Sequence, residues 1–407
     1  MSQFVSPPNT IKTVAFSLRR FPRIHRVGRW LRRTLFAALA EGFWEFVRLL
    51  FANSTRFGPP AHTFSVYQEL RYHWPLINGR ILTHDQGVPK VTGDSLLVLS
   101  KMNQHAEQPW PILWSEHHQA RLITESLAYL RPDKTLCVES VYNCARWRSD
   151  TASRYLRLPP PTELKGDWTS IVSLWCPTID FPVYGHWLHD ALPRLGVLSE
   201  FPSTTRIIVP ANLKPYHKES LELMGVWDRC RPTSEQHLLV ERYFFSSPTS
   251  MITCYNPYSI KVLREAFLPK RDPNYNGPKK FYMHRTSSKR LLVNGEEICE
   301  FFRSKGWGIV VDVDLTIAQT VKLFSEAEAV CSLLGSNMSN VMFCRPGCTV
   351  MQMVLDSWVD GWIDWVTQVC ELDYHFKVFP TGGPLSNRFE IKVKAIEDFF
   401  SSSGVSF

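Results

Sequence analysis

Two histidines, an aspartate and an arginine fall within the dozen residues Tyr184 to Leu195, YGHWLHDALPRL, among Trp187, Leu188, Leu192 and Leu195. Titratable groups are costly on a buried face, so the helix predicted here either lies half in water or uses them. On a helix His186, His189 and Asp190 stand at i, i+3 and i+4 and share one face. A carboxylate beside a histidine can take the proton of a hydroxyl. Arg194, four residues past Asp190, leaves a second reading open, a satisfied ion pair flanked by histidines. A metal centre of His186, His189 and Asp190 is the third; the sequence offers no further ligand cluster around it, and no metal ligand is assigned.

Two later stretches carry complementary chemistry. MHRTSSKRLLVNGEEI, residues 283–298, places His284, Arg285, Lys289 and Arg290 just after an apolar run that predicts a strand. Cations there can neutralise a diphosphate, or form a solvated basic loop. In SLLGSNMSNVMFCRPGCTVMQM, residues 332–353, a strand runs into Gly335, Ser336 and Asn337 and then a helix. The N–H groups of a helix start are available to an anion; Gly335 permits close approach, and Ser336, Asn337, Ser339 and Asn340 offer hydrogen bonds. Trp358, Trp362 and Trp365 recur at helical spacing, as a stacking platform or, more in keeping with the type, a buried aromatic face.

The elements that position these residues follow from patterning. With 407 residues, 44% hydrophobic and 21% charged, the chain is a folded protein of about two domains. From Thr169 apolar runs alternate with helical patterns (TRIIVP, YHKESLELMGV, HLLVERYFFSS, PYSIKVLREAFL), and a second alternation runs from KFYMHR to CTVMQMV. This is the pattern of parallel sheets with covering helices, whose ligands bind beyond the carboxyl ends of the strands. LPPPTELKGDW, 158–168, reads as a proline-rich connection and PKRDPNYNGPKK, 269–280, as a linker. The expected organisation is a leader over 1–60, a domain over 61–268 that is β-rich before about 167, the linker, a second α/β domain over 281–390, and a C-terminal helix and tail over 391–407.

The net charge of +8 resides in the leader: residues 1–33 hold eight basic side chains, Lys12, Arg19, Arg20, Arg23, Arg26, Arg29, Arg32 and Arg33, and no acid. The remainder is formally neutral, which argues against nucleic acid as partner. In residues 34–53, Glu41, Glu45 and Arg48 oppose Leu39, Phe43, Phe46 and Leu50, an amphipathic helix. Three charges near a helix centre would cost about 2.5 to 3.5 kcal/mol each on insertion, so residues 12–53 suit the surface of an anionic membrane; packing on the protein itself and a signal anchor are the alternatives. The ten cysteines show no CxxC or zinc spacing and read as reduced core residues of a reducing compartment.

In this order and spacing the three stretches resemble glycosyltransferase family 61. His186, Trp187, Asp190, Leu192, Pro193, Arg194 and Leu195 match its first motif; Arg285, Lys289, Arg290 and Asn294 resemble its middle element, with Gly295 inserted before Glu296; residues 332–352 resemble its late segment. Leu334 stands where many members have histidine, Asn337 replaces a small residue and Gln352 a glutamate. The resemblance implies a GT-B-like fold, two doubly wound α/β domains facing a cleft. It implies an inverting transfer of a sugar from a nucleotide sugar to a hydroxyl of a glycan or glycolipid, without cofactor or essential metal. Under it Asp190 is the general base, His186 orients it or binds acceptor, and His189 and Arg194 are acceptor-side candidates. Arg285, Lys289 and Arg290 hold the diphosphate, and Gly335, Ser336, Asn337 and Asn340 the nucleotide or donor sugar. Surface polysaccharide synthesis on the cytoplasmic face of the inner membrane suits such a chain, with a lumenal, anchored enzyme as alternative. A non-catalytic, membrane-attached scaffold on a degenerate transferase fold is the competing reading, motivated by Leu334 and Gln352.

Overall fold

The structure, a computed structural model, describes residues 63–64, 114–124, 128–133, 135–137, 140, 159–171, 184–247, 249–251, 254–255, 257–286, 291–311, 315–357, 361–381 and 388–407. The expectations for the leader, for Lys289 and Arg290 and for Trp358 lie outside the described residues.

Two sheets organise the chain. The C-terminal one is wholly parallel, with strands Gly308–Val311, Lys280–His284, Ala329–Leu333, Thr349–Leu355 and Asp373–Phe379 side by side in that order. Along Lys280–His284, Phe281 and Met283 enter the core on one face while Tyr282 enters a second core on the other. Period-two alternation with both sides apolar is what a parallel sheet covered on both faces requires. Helices Gly295–Ser304 and Val393–Ser403 contribute to the second core, through Phe302, Ile396 and Phe400.

The other sheet is mixed. His237–Ser246, Thr162–Ser170, Arg206–Pro210 and Cys230–Thr233 run parallel, and Trp114–Ile123 and Ala128–Leu130 continue the sheet antiparallel from His237–Ser246. Thr162–Ser170 corrects the sequence reading, in which 158–168 was a connection. Its prolines end at Pro161; the polar Lys165, Gly166 and Asp167 that disguise the strand form a bulge, where Gly166 takes φ +83° and the register shifts between Leu164 and Asp167. Leu164 and Trp168 still point into the apolar layer beneath.

One continuous core joins the facing sides of the two sheets, from Ile207 and Phe244 through Trp187, Leu192, Leu263 and Met342 to Val330 and Val350. Polar contacts reinforce it. Glu219, on helix Pro215–Leu223, accepts the backbone N–H of Ala318 at the start of helix Ile317–Ser325 (3.1 Å). Arg264, on helix Pro257–Phe267, donates to the carbonyls of Met342 and Cys344 (2.9 Å to the latter) at the far end of the helical segment Ser336–Phe343. A cation there complements the carbonyl end of a helix.

Cys230, Cys299, Cys331, Cys344, Cys348 and Cys370 are unbridged, all but Cys230 buried. Burial raises the thiol of Cys230 to about 12 and that of Cys299 to about 11, which makes them inert. Among the described residues no helix is long and apolar enough to cross a membrane.

Candidate active site at the carboxyl ends of two sheets

The first stretch is helical but not one α-helix. An α-turn over Tyr184–His186 widens into a π-turn over Trp187–Ala191, closed by the N–H of Leu192 on the carbonyl of Trp187, and then tightens to a 3-10 helix over Leu192–Glu200. Pro193 explains the break: it has no N–H for the carbonyl of His189, four residues back. The hydroxyl of Thr249 donates to that carbonyl instead, at 3.2 Å. Turns of this kind gather at functional sites.

Within it, Nδ1 of His186 and Oδ2 of Asp190 are 2.7 Å apart. The Asp190 side chain is 3% exposed and that of His186 29%, so the imidazole is the group a ligand can reach. His189 does not share their face. It is fully buried, edge-on to Trp362 with ring centroids 5.6 Å apart, and burial pulls its imidazole down to about 3 against the opposing pull of Asp190. Arg194 is buried too, donating to the carbonyl of Ser246 and lying over the ring of Phe245 (5.4 Å). The stretch thus splits into an accessible pair and two interior groups. Among the described residues no three His, Cys, Asp or Glu side chains are grouped as a metal ion would need.

Arg285 and Gly335 follow the adjacent parallel strands Lys280–His284 and Ala329–Leu333. The next strand of this sheet in sequence, Gly308–Val311, lies on the other side of Lys280–His284, so this is where the sheet's connections part in opposite directions, the place where such sheets leave a crevice. Nη1 of Arg285 donates to the carbonyl of Leu334 at 2.9 Å. Beyond Gly335 the expected helix is a 3-10 helix over Ser336–Phe343, with Met338 N–H closing on the carbonyl of Gly335.

The polar residues of this turn divide. Asn340 is committed at both ends, accepting from the hydroxyl of Tyr184 (2.7 Å) and donating to the carbonyl of Asn337 (3.0 Å). Burial raises the Tyr184 phenol well above its ordinary value, against the opposing pull of the Asn340 contact. Asn337 donates through Nδ2 to Ser332 (3.3 Å), while its Oδ1 and the hydroxyl of Ser339 are buried without a hydrogen-bond partner among the described residues.

The two stretches meet at Gly185: a Cβ there would stand 3.1 Å from Oγ of Ser339 and 3.5 Å from Ser336. The chain segment bearing His186 and the turn beyond Gly335 are therefore in direct contact. Sequence reasoning passed over Tyr184 and Gly185, and weighed Ser339 only as a donor among others; contact across 151 or more positions leaves no local signal.

The remaining motif residues are structural. Asn294 brackets Ile391, donating to its carbonyl (2.9 Å) and accepting its N–H (3.3 Å). Gly295 makes room for His284, whose Cε1 would lie 2.8 Å from a Cβ. Leu334 is in the core, and Gln352, fully buried in its strand, accepts from the hydroxyl of Tyr374. Trp362 is buried and Trp365 packs on the core, the aromatic-face alternative.

Residues 184–351 match the family model of Glycosyltransferase 61. The match spans less than half of the chain, but it begins at Tyr184 and includes the His186 and Asp190 pair, Arg285 and the turn from Gly335 to Asn340. No curated protein matches the chain.

Proposed function

We propose, for a chain whose residues 184–351 are those of a family 61 glycosyltransferase, an inverting, metal-independent transfer of a sugar from a nucleotide sugar to a hydroxyl of a glycan or glycolipid. The observation that carries this reading is the contact of Gly185 with Ser336 and Ser339, which brings the segment bearing the histidine and carboxylate pair against the turn whose Gly335 lies against Arg285. In-line displacement needs a base on one side of the anomeric carbon and stabilisation of the leaving diphosphate on the other.

We assign the base to the pair rather than to Asp190 alone. With Nδ1–H of His186 donated to the Asp190 carboxylate, Nε2 carries the lone pair. It takes the acceptor hydroxyl proton as the oxygen bonds to the anomeric carbon and the bond to the diphosphate oxygen breaks. The sealed carboxylate fixes the tautomer and stabilises the imidazolium, the division of labour of other aspartate and histidine pairs. Arg285, with Lys289 and Arg290 from the same stretch, neutralises the diphosphate. The Oδ1 of Asn337 and hydroxyl of Ser339, buried and without a hydrogen-bond partner among the described residues, are what a hydroxyl of the donor sugar would satisfy.

On this reading the two sheets are the acceptor-side and donor-side layers of a GT-B-like arrangement, with residues 61–268 and 281–390 as its halves. Residues 12–53 attach the enzyme to the cytoplasmic face of an anionic membrane, where surface polysaccharide is assembled. A screen of nucleotide sugars by release of free nucleotide, followed by the anomeric configuration of the product, tests the proposal. We expect release from one nucleotide class, inverted product and indifference to chelator. Absence of both release and thermal shift with UDP-, GDP-, CMP- and TDP-sugars would overturn it.

A further inference from the structure

Gly335 was read from sequence as the point where backbone approaches a ligand. The space its missing side chain leaves is already occupied. A Cβ at Gly335 would stand 1.9 Å from Nη1 and 2.8 Å from Cζ of Arg285, and 3.3 Å from Oδ1 of Asn337. Its φ of 177° is ordinary extended backbone that any residue adopts, so conformation does not explain the glycine. Steric room for the guanidinium does.

We infer that Gly335 is a positioning residue for Arg285: it opens the lane through which the guanidinium crosses from the end of strand Lys280–His284 to the carbonyl of Leu334, where Nη1 is held at 2.9 Å. The crossing fixes the guanidinium of Arg285 at the end of the neighbouring strand, in the space that Gly335 shares with the buried acceptor Oδ1 of Asn337. A planar guanidinium anchored through one nitrogen keeps its other donors aimed in a set direction. An added methyl need not unfold anything, because the atom it meets is the end of a flexible side chain that can swing away. The cost falls on where the positive charge sits.

The link to a diphosphate rests on the transferase reading, whereas the placement of Arg285 does not, and two readouts on the full chain separate them. The first is phenylglyoxal modification of Arg285, followed by peptide mass mapping without ligand. We expect slow modification in the parent and at least tenfold faster modification in Gly335→Ala at a nearly unchanged unfolding temperature; equal rates would overturn the inference. The second is binding of inorganic pyrophosphate and of UDP and GDP. Gly335→Ala should weaken binding as much as Arg285→Ala does, about tenfold or more, and add less than twofold to Arg285→Ala. Arg285→Lys, with its slimmer end, should recover part of what Gly335→Ala loses. A further tenfold loss in the double variant would mean that Gly335 acts on the ligand itself and would sink the inference. Faster modification in Gly335→Ala with no diphosphate bound by any variant, parent included, would support the placement of Arg285 and overturn the transferase reading alone.

Discussion

Nδ1 of His186 lies 2.7 Å from Oδ2 of Asp190, with the carboxylate buried and the imidazole side chain 29% exposed. If the pair is the base, the two substitutions differ in kind. His186→Gln removes the proton acceptor and should lower kcat by about 10²- to 10⁴-fold. Asp190→Asn leaves an imidazole but presents it with an amide, which favours the wrong tautomer. It should lower kcat by a similar factor and leave nucleotide affinity within about twofold. Single-turnover rates beside nucleotide titrations would check this; near-normal turnover in Asp190→Asn would remove the carboxylate from the mechanism.

Thr249 and Pro193 form a compensating pair through one carbonyl. The Thr249 hydroxyl serves the carbonyl of His189 because Pro193 cannot. Thr249→Val removes the hydroxyl that donates to that carbonyl, a loss of about 0.5 to 1.5 kcal/mol in unfolding free energy. Pro193→Ala restores an N–H at the α-helical position, so it should recover part of the loss in the Thr249→Val background. In the parent its gain should be small. Denaturant unfolding of the four proteins measures the coupling.

Local spacing made part of this site legible. Four residues on a helix bring His186 to Asp190, and that contact survives the π-turn. His189, one residue earlier, does not stay with them, because the wider turn forced by Pro193 carries it round to Trp362. The apolar runs marked the strands reliably where both faces are buried, as in Ala329–Leu333, and failed at Thr162–Ser170, whose bulge hides an inner strand behind Lys165, Gly166 and Asp167. What no spacing reveals is the lateral order of strands. Arg285 meets Gly335, and Tyr184 meets Asn340, only because the chain returns to pair there.

Burial of His189 gives the stability a pH dependence with a definite sign. Folded, its imidazole stays neutral to about pH 3; unfolded, it protonates near the ordinary value of about 6.5. Above that value neither state holds the proton. As pH falls, the unfolded chain gains it first, so stability is present above about 6.5 and lost toward 3, by about 2 kcal/mol at pH 5. His217, also fully buried and pulled down by burial and then by Lys214, acts in the same direction. Unfolding free energies at pH 5 and pH 7 should therefore differ by less in His189→Gln than in the parent, by about that amount. An unchanged difference would show that His189 is protonated in the folded state.

Gln352 tests whether a departure from the family pattern touches the site. Its side chain is fully buried and accepts from Tyr374, whose own hydroxyl is pushed up by burial and by Asp364. Restoring the glutamate with Gln352→Glu puts a carboxyl in a sealed strand with one donor to it. Its folded pKa should rise above the unfolded value of about 4.3. Stability is then retained below about pH 4.3 and lost as pH climbs, with a slope approaching 1.4 kcal/mol per unit until the folded group ionises. Relative to the parent, the variant should unfold progressively earlier between pH 5 and pH 8. Nucleotide release per folded molecule should stay within about twofold, because the side chain packs toward Tyr374. A tenfold gain in turnover would instead place position 352 in contact with substrate.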